Sequence, residues 1–218
     1  MAVAHVTHGN RQAVLLCHDN DYITSFLKKG KFYEDEMLSF IEGLLIVKTD
    51  GCIIDVGANI GNHSIFFGMF TKLFIHAFEP SKDSYEMFVK NISANDKNKP
   101  IIAHNLAVGN EKGKVKINRI DAFNKGRDTV IPGGDIDMVR LDDFLEKPDK
   151  VQLMKIDVEG YEPHVLMGAI EILKRDKPYL FIEAHTAVDK KVLDDILEPM
   201  GYKARLVFGV AKTYFFSV

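Results

Sequence analysis

The spacing of apolar and polar positions along this chain changes repeatedly, and each change marks an element. From Tyr33 to Ile46 the apolar residues Met37, Phe40, Ile41, Leu44 and Leu45 recur at helical spacing. Glu34, Asp35 and Glu36 crowd its first turn, where the helix dipole favours anions, so the spacing predicts an amphipathic helix. Cys52–Val56 is an apolar run broken by one acid, Asp55, and followed by Gly57 and Gly61, which predicts a buried strand, a tight turn and a helix over Asn62–Lys72. A second apolar run, Leu73–Phe78, ends in Glu79-Pro80-Ser81, and these with Asp83 and Glu86 are start signals for a helix through Asn95.

The alternation continues. Ile101–Leu106 reads as a third strand ending near Ala107-Val108-Gly109, and Asn110–Gly113 reads as a hairpin turn into Lys114–Ile120. Asp121–Asp137, rich in Gly and Asp, reads as a surface loop. Val139–Leu145 leads into a fourth core strand, Val151–Ile156, and helical spacing resumes at Pro163. A fifth strand is predicted at Tyr179–Glu183, a helix over Val188–Met200, and a terminal antiparallel hairpin from Tyr202–Phe208 and Lys212–Ser217 around Gly209. The first 30 residues carry only a short strand-like run, Ala13–Leu16, and no long-period pattern. Strands alternating with helices give an α/β fold with a parallel, doubly wound sheet, whose ligands bind outside the carboxyl ends of the strands.

Composition narrows this picture. With 218 residues and 46% hydrophobic content the chain can bury one substantial core, read as one compact domain with an N-terminal extension and cap helix over 1–50 ahead of 51–218. Lys and Arg total 28 against 31 Asp and Glu, and a net charge of −3 offers no bulk attraction for nucleic acid or an anionic membrane. Cys17 and Cys52 have no metal-ligand spacing, and a disulfide framework is not expected. No run reaches the roughly 18 apolar residues of a membrane span and no cleavable leader is evident, so a soluble cytoplasmic protein is the expectation.

The candidate chemistry gathers at predicted strand ends. Gly57 and Gly61 lack Cβ atoms and Asn59 tolerates positive φ, so the turn after the first strand can floor a small-molecule site. The dinucleotide fingerprint would need glycines at 57, 59 and 62, and two of these fail, which counts against a nicotinamide enzyme. The remaining pattern, Asp55-x-Gly57-x-Asn59-x-Gly61, resembles the cofactor loop of class I methyltransferases that use S-adenosylmethionine. An ordinary strand-to-helix turn capped by Asp55 is the other reading. Glu79 lies 18 residues beyond Gly61, near the roughly 20 at which an acid ending the second strand meets a ribose diol, although it could equally start the next helix. Asp55, Glu79, Asn105, Asp157 and His185 each close a different predicted strand.

In order along the chain, Gly30–Glu34, Ile54–Gly61, Phe78-Glu79-Pro80, Asn105–Gly109, Leu141–Phe144 and Met154–Glu162 resemble the FkbM-type methyltransferases from about residue 20 to 185. The resemblance implies a Rossmann-like sheet of seven strands, mostly parallel, with an antiparallel strand from the C-terminal hairpin. It implies S-adenosylmethionine as cofactor and methylation of a hydroxyl on a sugar or small natural product. On the cofactor it places Tyr33 and Glu34, then Asp55, Gly57, Ala58, Asn59, Gly61 and Asn62, then Glu79 and Pro80, and finally Asn105, Ala107 and Asp157. Where relatives commonly carry an apolar residue and then a Thr after the second glycine, this chain has Asn62-His63-Ser64.

A neutral hydroxyl must lose a proton to accept a methyl group. The candidate bases are Asp157, Glu159, Glu183 and His185, with His185 favoured by its ordinary pKa. Lys155 shares a strand face with Asp157 and is open to two roles, an ion-pair partner or a proton acceptor. Two rivals stand beside this reading: a divalent cation held by Asp157, Glu183 and His185, or a nucleoside-binding module without turnover. Neither the acceptor nor the oligomeric state is legible.

Overall fold

The computed structural model describes residues 1–19, 21–95, 101–118, 129–145 and 150–218. It opens with an antiparallel hairpin, β1 (Ala2–His8) and β2 (Arg11–Cys17), then α1 (Tyr22–Leu27) and α2 (Asp35–Leu45). The main run follows as β3 (Cys52–Val56), α3 (Asn62–Phe70), β4 (Phe74–Phe78), α4 (Lys82–Ala94) and β5 (Ile101–His104). Short strands come next: β6 (Ala107–Val108), β7 (Gly113–Asn118), β8 (Thr129–Pro132) and β9 (Ile136–Val139). After α5 (Leu141–Phe144) the main run resumes with β10 (Val151–Ile156), α6 (Glu162–Met167), α7 (Ile170–Asp176), β11 (Tyr179–Glu183) and α8 (Ala187–Leu197), and closes with β12 (Lys203–Phe208) and β13 (Thr213–Ser217).

Seven strands form the central sheet in the order β12-β13-β11-β10-β3-β4-β5. All neighbours from β11 to β5 pair in parallel, while β13 runs antiparallel to both β11 and β12. This is the doubly wound, mostly parallel sheet with an antiparallel C-terminal strand expected from the sequence. β3, β10 and β11 are buried almost throughout, as strands covered on both faces must be.

The pleat divides the core into two layers. Ile53, Leu153 and Phe181 point to one face, where α2 buries Met37, Leu38, Ile41 and Leu45 and α3 buries Ile65, Phe66 and Phe67. Ile54, Met154, Ile156 and Ile182 point to the other, against Val165, Leu166, Leu173, Leu193 and Leu197 of α6, α7 and α8. Each of these side chains, fully buried, contributes roughly 1.5–3 kcal/mol to the sandwich. The chain runs outward from β3 to β5 and returns to β10 on the other side of β3, so the switch point lies between β3 and β10.

Three features depart from the sequence reading. The first 17 residues supply a two-stranded hairpin whose Ala4, Val6, Ala13, Leu15 and Cys17 join the core of the first face, so the strand-like run Ala13–Leu16 is one arm of a hairpin whose other arm, Ala2–His8, the pattern did not mark. The turn at 110–113 does not close a hairpin with the preceding strand: β7 pairs with β8 and β9, and β6 pairs with β9, in a separate sheet ordered β6-β9-β7-β8. The stretch Asp121–Asp137 is not all loop, because Thr129–Pro132 and the start of β9 fall within it; its residues 121–128 lie outside the described residues.

Candidate active site

Strands β3 and β10 stay paired to their carboxyl ends, where the Asp157 N–H donates to Val56 O at 3.0 Å, and the turn after β3 begins against Asp157. Gly57 takes φ 84° and donates its N–H to Phe78 O; a Cβ there would sit 1.8 Å from the Asp157 carbonyl oxygen. Gly61 takes φ 88° at the N-terminus of α3, and a Cβ would strike the ring of Phe88 at 2.1 Å. Both glycines are thus required by the protein's own packing. Asn59 between them has φ 50°.

A cavity of about 560 Å³ lies over this turn, within the usual range for small-molecule sites. On the β4 and β5 side its wall is the turn Gly57–Asn59 with Glu79, Pro80, Ser81, Ser84, Leu106, Ala107 and Val108, and the small sheet adds Ile117 and Val130. On the β10 and β11 side it is Asp157, Val158, Glu159, Tyr161, Glu183 and His185, roofed by Tyr22, Tyr33, Asn62, His63 and Ala211.

Glu79 is 7% exposed, and both its oxygens are engaged: Oε2 accepts the Asn59 N–H at 2.8 Å and Oε1 the Ser81 N–H at 2.7 Å. The carboxylate is therefore fixed between the β3 turn and the start of α4. Asn105 braces the same corner, donating through Nδ2 to the carbonyls of Glu79 at 2.8 Å and Pro80 at 3.1 Å. Asn62 clamps the roof, accepting the Tyr33 N–H and donating to the Tyr33 carbonyl, each at 3.1 Å.

The β10 and β11 side is densely charged. Parallel pairing of Lys155 with both Asp55 and Phe181 sets Lys155, Asp55, Asp157 and Glu183 on one face of the sheet. Lys155, 1% exposed, donates to Asp157 Oδ2 at 3.0 Å. Burial works against its charge, but Asp157, Asp55 and Glu34 outweigh it and raise the ammonium's pKa. Burial pushes Asp157 up, and the Lys155 cation more than reverses this, holding its carboxyl below the usual range. Glu183 is pushed up to about 11, first by burial and then by the charge of Asp157, with which it shares a hydrogen bond. Glu159 is raised by burial and by Asp157, with His185 opposing. His185 Nε2 lies 3.0 Å from Glu159 Oε2 and 3.4 Å from Glu183 Oε2. Tyr33 is raised by burial and by the neighbouring acids, led by Glu34.

Of the sequence-predicted residues, Tyr33, Gly57, Ala58, Asn59, Asn62, Glu79, Pro80, Ala107, Asp157, Glu159 and His185 are on the cavity wall. Asp55, Glu34, Gly61 and Lys155 lie behind it. Asp55, fully buried, accepts from Ser64 Oγ at 2.6 Å, and Glu34 lies 3.0 Å from His63 Nε2 without hydrogen-bond alignment. Asn105 instead faces a second, shallower cavity beside α4. The metal trio read from sequence also shifts: the ligand atoms that converge within 4.8 Å belong to Glu159, Glu183 and His185 rather than including Asp157. Sequence reasoning did not single out Tyr22, Tyr161, Ile117, Val130 or Ala211. His63 had one signal, its place where relatives carry other residues.

Glu34, Asn59 and Glu159 are non-glycine residues held in left-handed backbone, at φ 57°, 50° and 53°. Such strain costs of order 1–3 kcal/mol each and collects around functional sites. An open α/β sheet with a glycine turn after its first strand, an acid after the second and a cavity over the switch point defines the class: a Rossmann-like methyltransferase fold. The family model described as "Methyltransferase FkbM domain" matches residues 55–204, and the chain belongs to that family.

Among known proteins, the hexuronic acid methyltransferase AglP of Haloferax volcanii is 26% identical over 152 residues, 68% of this chain and 62% of its own length. The methyltransferase sdnD of Sordaria araneosa is 25% identical over 85% of this chain and 81% of its own. A solved structure of a methyltransferase FkbM from Methylobacillus flagellatus KT superposes with a TM-score of 0.57 at 21% identity, over 82% of this chain and 46% of that one. The chain thus spans less than two thirds of the archaeal relative and under half of the solved FkbM chain. Among the described residues no helix is long and apolar enough to cross a membrane.

Proposed function

We propose that the chain is an S-adenosylmethionine-dependent methyltransferase acting on a hydroxyl of a sugar or small natural product. The observation that carries this is one cavity with two unlike ends, a pinned carboxylate beside a glycine turn at one and a carboxylate-imidazole cluster at the other. The donor set suits the cofactor. Glu79, held on the cavity wall by the Asn59 and Ser81 N–H groups, is the carboxylate for a ribose diol, Leu106, Ile117 and Val130 offer an apolar wall for a purine, and Asp157 offers negative charge to the cationic methionine end. When bound, S-adenosylmethionine supplies a methyl carbon on a positively charged sulfur, an electrophile that an oxygen nucleophile attacks in line.

The chain's own residues do the rest. Tyr33 and Asn62 roof the site and exclude water. Lys155 is assigned the ion-pair role: from behind the wall, its own charge favoured by Asp157, Asp55 and Glu34, it pairs with Asp157 and holds that acid ionised. Glu159, Glu183 and His185 surround the position open to an acceptor hydroxyl and promote loss of its proton, with half-exposed His185 giving that proton a route to water. The two methyltransferase relatives support the class of reaction, and the hexuronic acid named for one of them makes saccharides the first acceptors to try.

The test is product analysis. Incubation with S-adenosylmethionine and a panel of monosaccharides and hydroxylated natural products should yield S-adenosylhomocysteine together with a methylated acceptor. Tight cofactor binding with no turnover on any acceptor would instead favour a nucleoside-binding module.

A further inference from the structure

We propose that Glu159, Glu183 and His185 form a divalent-cation site, occupied by an ion of the Mg²⁺/Mn²⁺ type. The proposal rests on the cavity assignment above, since the ion would sit beside the position given to an acceptor hydroxyl. One ligand atom from each residue lies within 4.8 Å of the others, and all three residues line the cavity. The 3.0 Å and 3.4 Å separations of His185 Nε2 from Glu159 Oε2 and Glu183 Oε2 resemble those of adjacent ligands on an octahedral ion with bonds of about 2.1 Å, which are roughly 3 Å apart.

An independent feature points to a missing partner. Glu183 is 7% exposed; its bond to Asp157 leaves Oε2 buried without a hydrogen bond, and that oxygen is the one aimed at the cluster. A buried carboxylate oxygen left this way is destabilising, and a bound ion would satisfy it. Asp157, the neighbouring acid on the wall, is by contrast already matched by Lys155. The adopted positions come from different strands: β11 ends in Glu183, His185 follows two residues later, and the left-handed turn at Glu159 aims its side chain across from β10.

Two carboxylates and one imidazole suit a hard ion that also accepts nitrogen, and Mn²⁺ meets both conditions. Three protein ligands leave positions for water and for an acceptor oxygen. There the ion withdraws electron density from the hydroxyl and lowers its pKa; the O–H bond breaks with its pair left on oxygen, and the proton passes to water on the open His185 side. The oxidation state of the ion does not change.

The test is Mn²⁺ binding to the chain alone, followed by electron paramagnetic resonance and calorimetry, on wild type, Glu183→Gln and His185→Ala. Stoichiometric binding in wild type, weakened tenfold or more in both variants, supports the site. S-adenosylmethionine affinity measured on the same samples keeps the two proposals apart: it should be unchanged in the variants, and its absence from wild type would overturn the cofactor reading without touching the metal result. An undiminished free-Mn²⁺ signal with wild type, or equal binding in all three proteins, overturns the cation site. His185→Ala alters a half-exposed side chain, so it remains informative if Glu183→Gln fails to fold.

Discussion

Glu79 and Glu183 invite comparison because they share so much. Both are acids at carboxyl ends of strands in one sheet, both are 7% exposed, and both line one cavity. Glu79 is satisfied within the protein by two backbone N–H groups, so its position is set before any ligand arrives. Glu183 sits among Asp157, Glu159 and His185 with one oxygen unmatched, and burial with like charge drives its carboxyl to hold a proton. A buried acid that is rigid and satisfied is suited to recognition, whereas a crowded and unsatisfied one is suited to chemistry.

The largest expected effect separates these roles by kinetics. Glu159→Gln should lower kcat by roughly 10²–10⁴ with the affinity for S-adenosylmethionine nearly intact, as loss of a group acting only in the chemical step would do. Equal losses in kcat and cofactor affinity, measured by steady-state kinetics and calorimetry, would erase the division.

The glycines sharpen it next. Gly57→Ala meets the Asp157 carbonyl at 1.8 Å in left-handed backbone and should cost about 2 kcal/mol or more in urea unfolding. Gly160→Ala, also left-handed but with nothing within 4 Å of the added carbon, should cost about 1 kcal/mol from backbone strain alone. Similar costs at the two sites would contradict the packing account of the β3 turn. A smaller effect is expected at the roof: Asn62→Ala removes two hydrogen bonds to Tyr33, each worth about 1 kcal/mol, and should speed hydrogen exchange across residues 30–40. In wild type, exchange there should slow when the cofactor binds; identical exchange in all cases would count against the roof.

The smallest effect concerns pH on the Glu79 side. His104 stacks on Phe78, lies 3.2 Å from His76, and has its pKa lowered to about 4 by burial and by His76. The unfolded chain therefore binds a proton there at a higher pH than the fold does. Stability from this group is complete above about pH 6.5 and is lost as pH falls from there towards 4. His104 is only partly buried and solvent screens it, so the direction is what is predicted: unfolding midpoints should fall less between pH 7 and 5 in His104→Gln than in wild type.

The five parallel strands were legible as apolar runs, most continuous in β3, β10 and β11, which are buried on both faces. The first hairpin was not, since exposed Val3 on β1 spoils the alternation that its buried neighbours Ala4 and Val6 would otherwise show. The small sheet was hidden because its short strands pair across chain separations that no local pattern records. At the site, strand-end acids were visible as sequence breaks, and the adjacency of β10 and β11 explains why Asp157 and Glu183 meet. What the sequence did not reveal is which of them face the cavity. Asp55 and Lys155 share a sheet face with Asp157 but sit within their strands rather than beyond the carboxyl ends, which leaves them behind the wall, while α1 and the terminal hairpin bring Tyr22 and Ala211 onto it.

The most direct test of the central claim is calorimetry of S-adenosylmethionine and NAD against wild type and Glu79→Ala. The account predicts that S-adenosylmethionine binds and NAD does not, and that Glu79→Ala weakens binding by about 1.5–3 kcal/mol, the range for hydrogen bonds to a charged group. Unchanged affinity in Glu79→Ala, or preference for NAD, would contradict it.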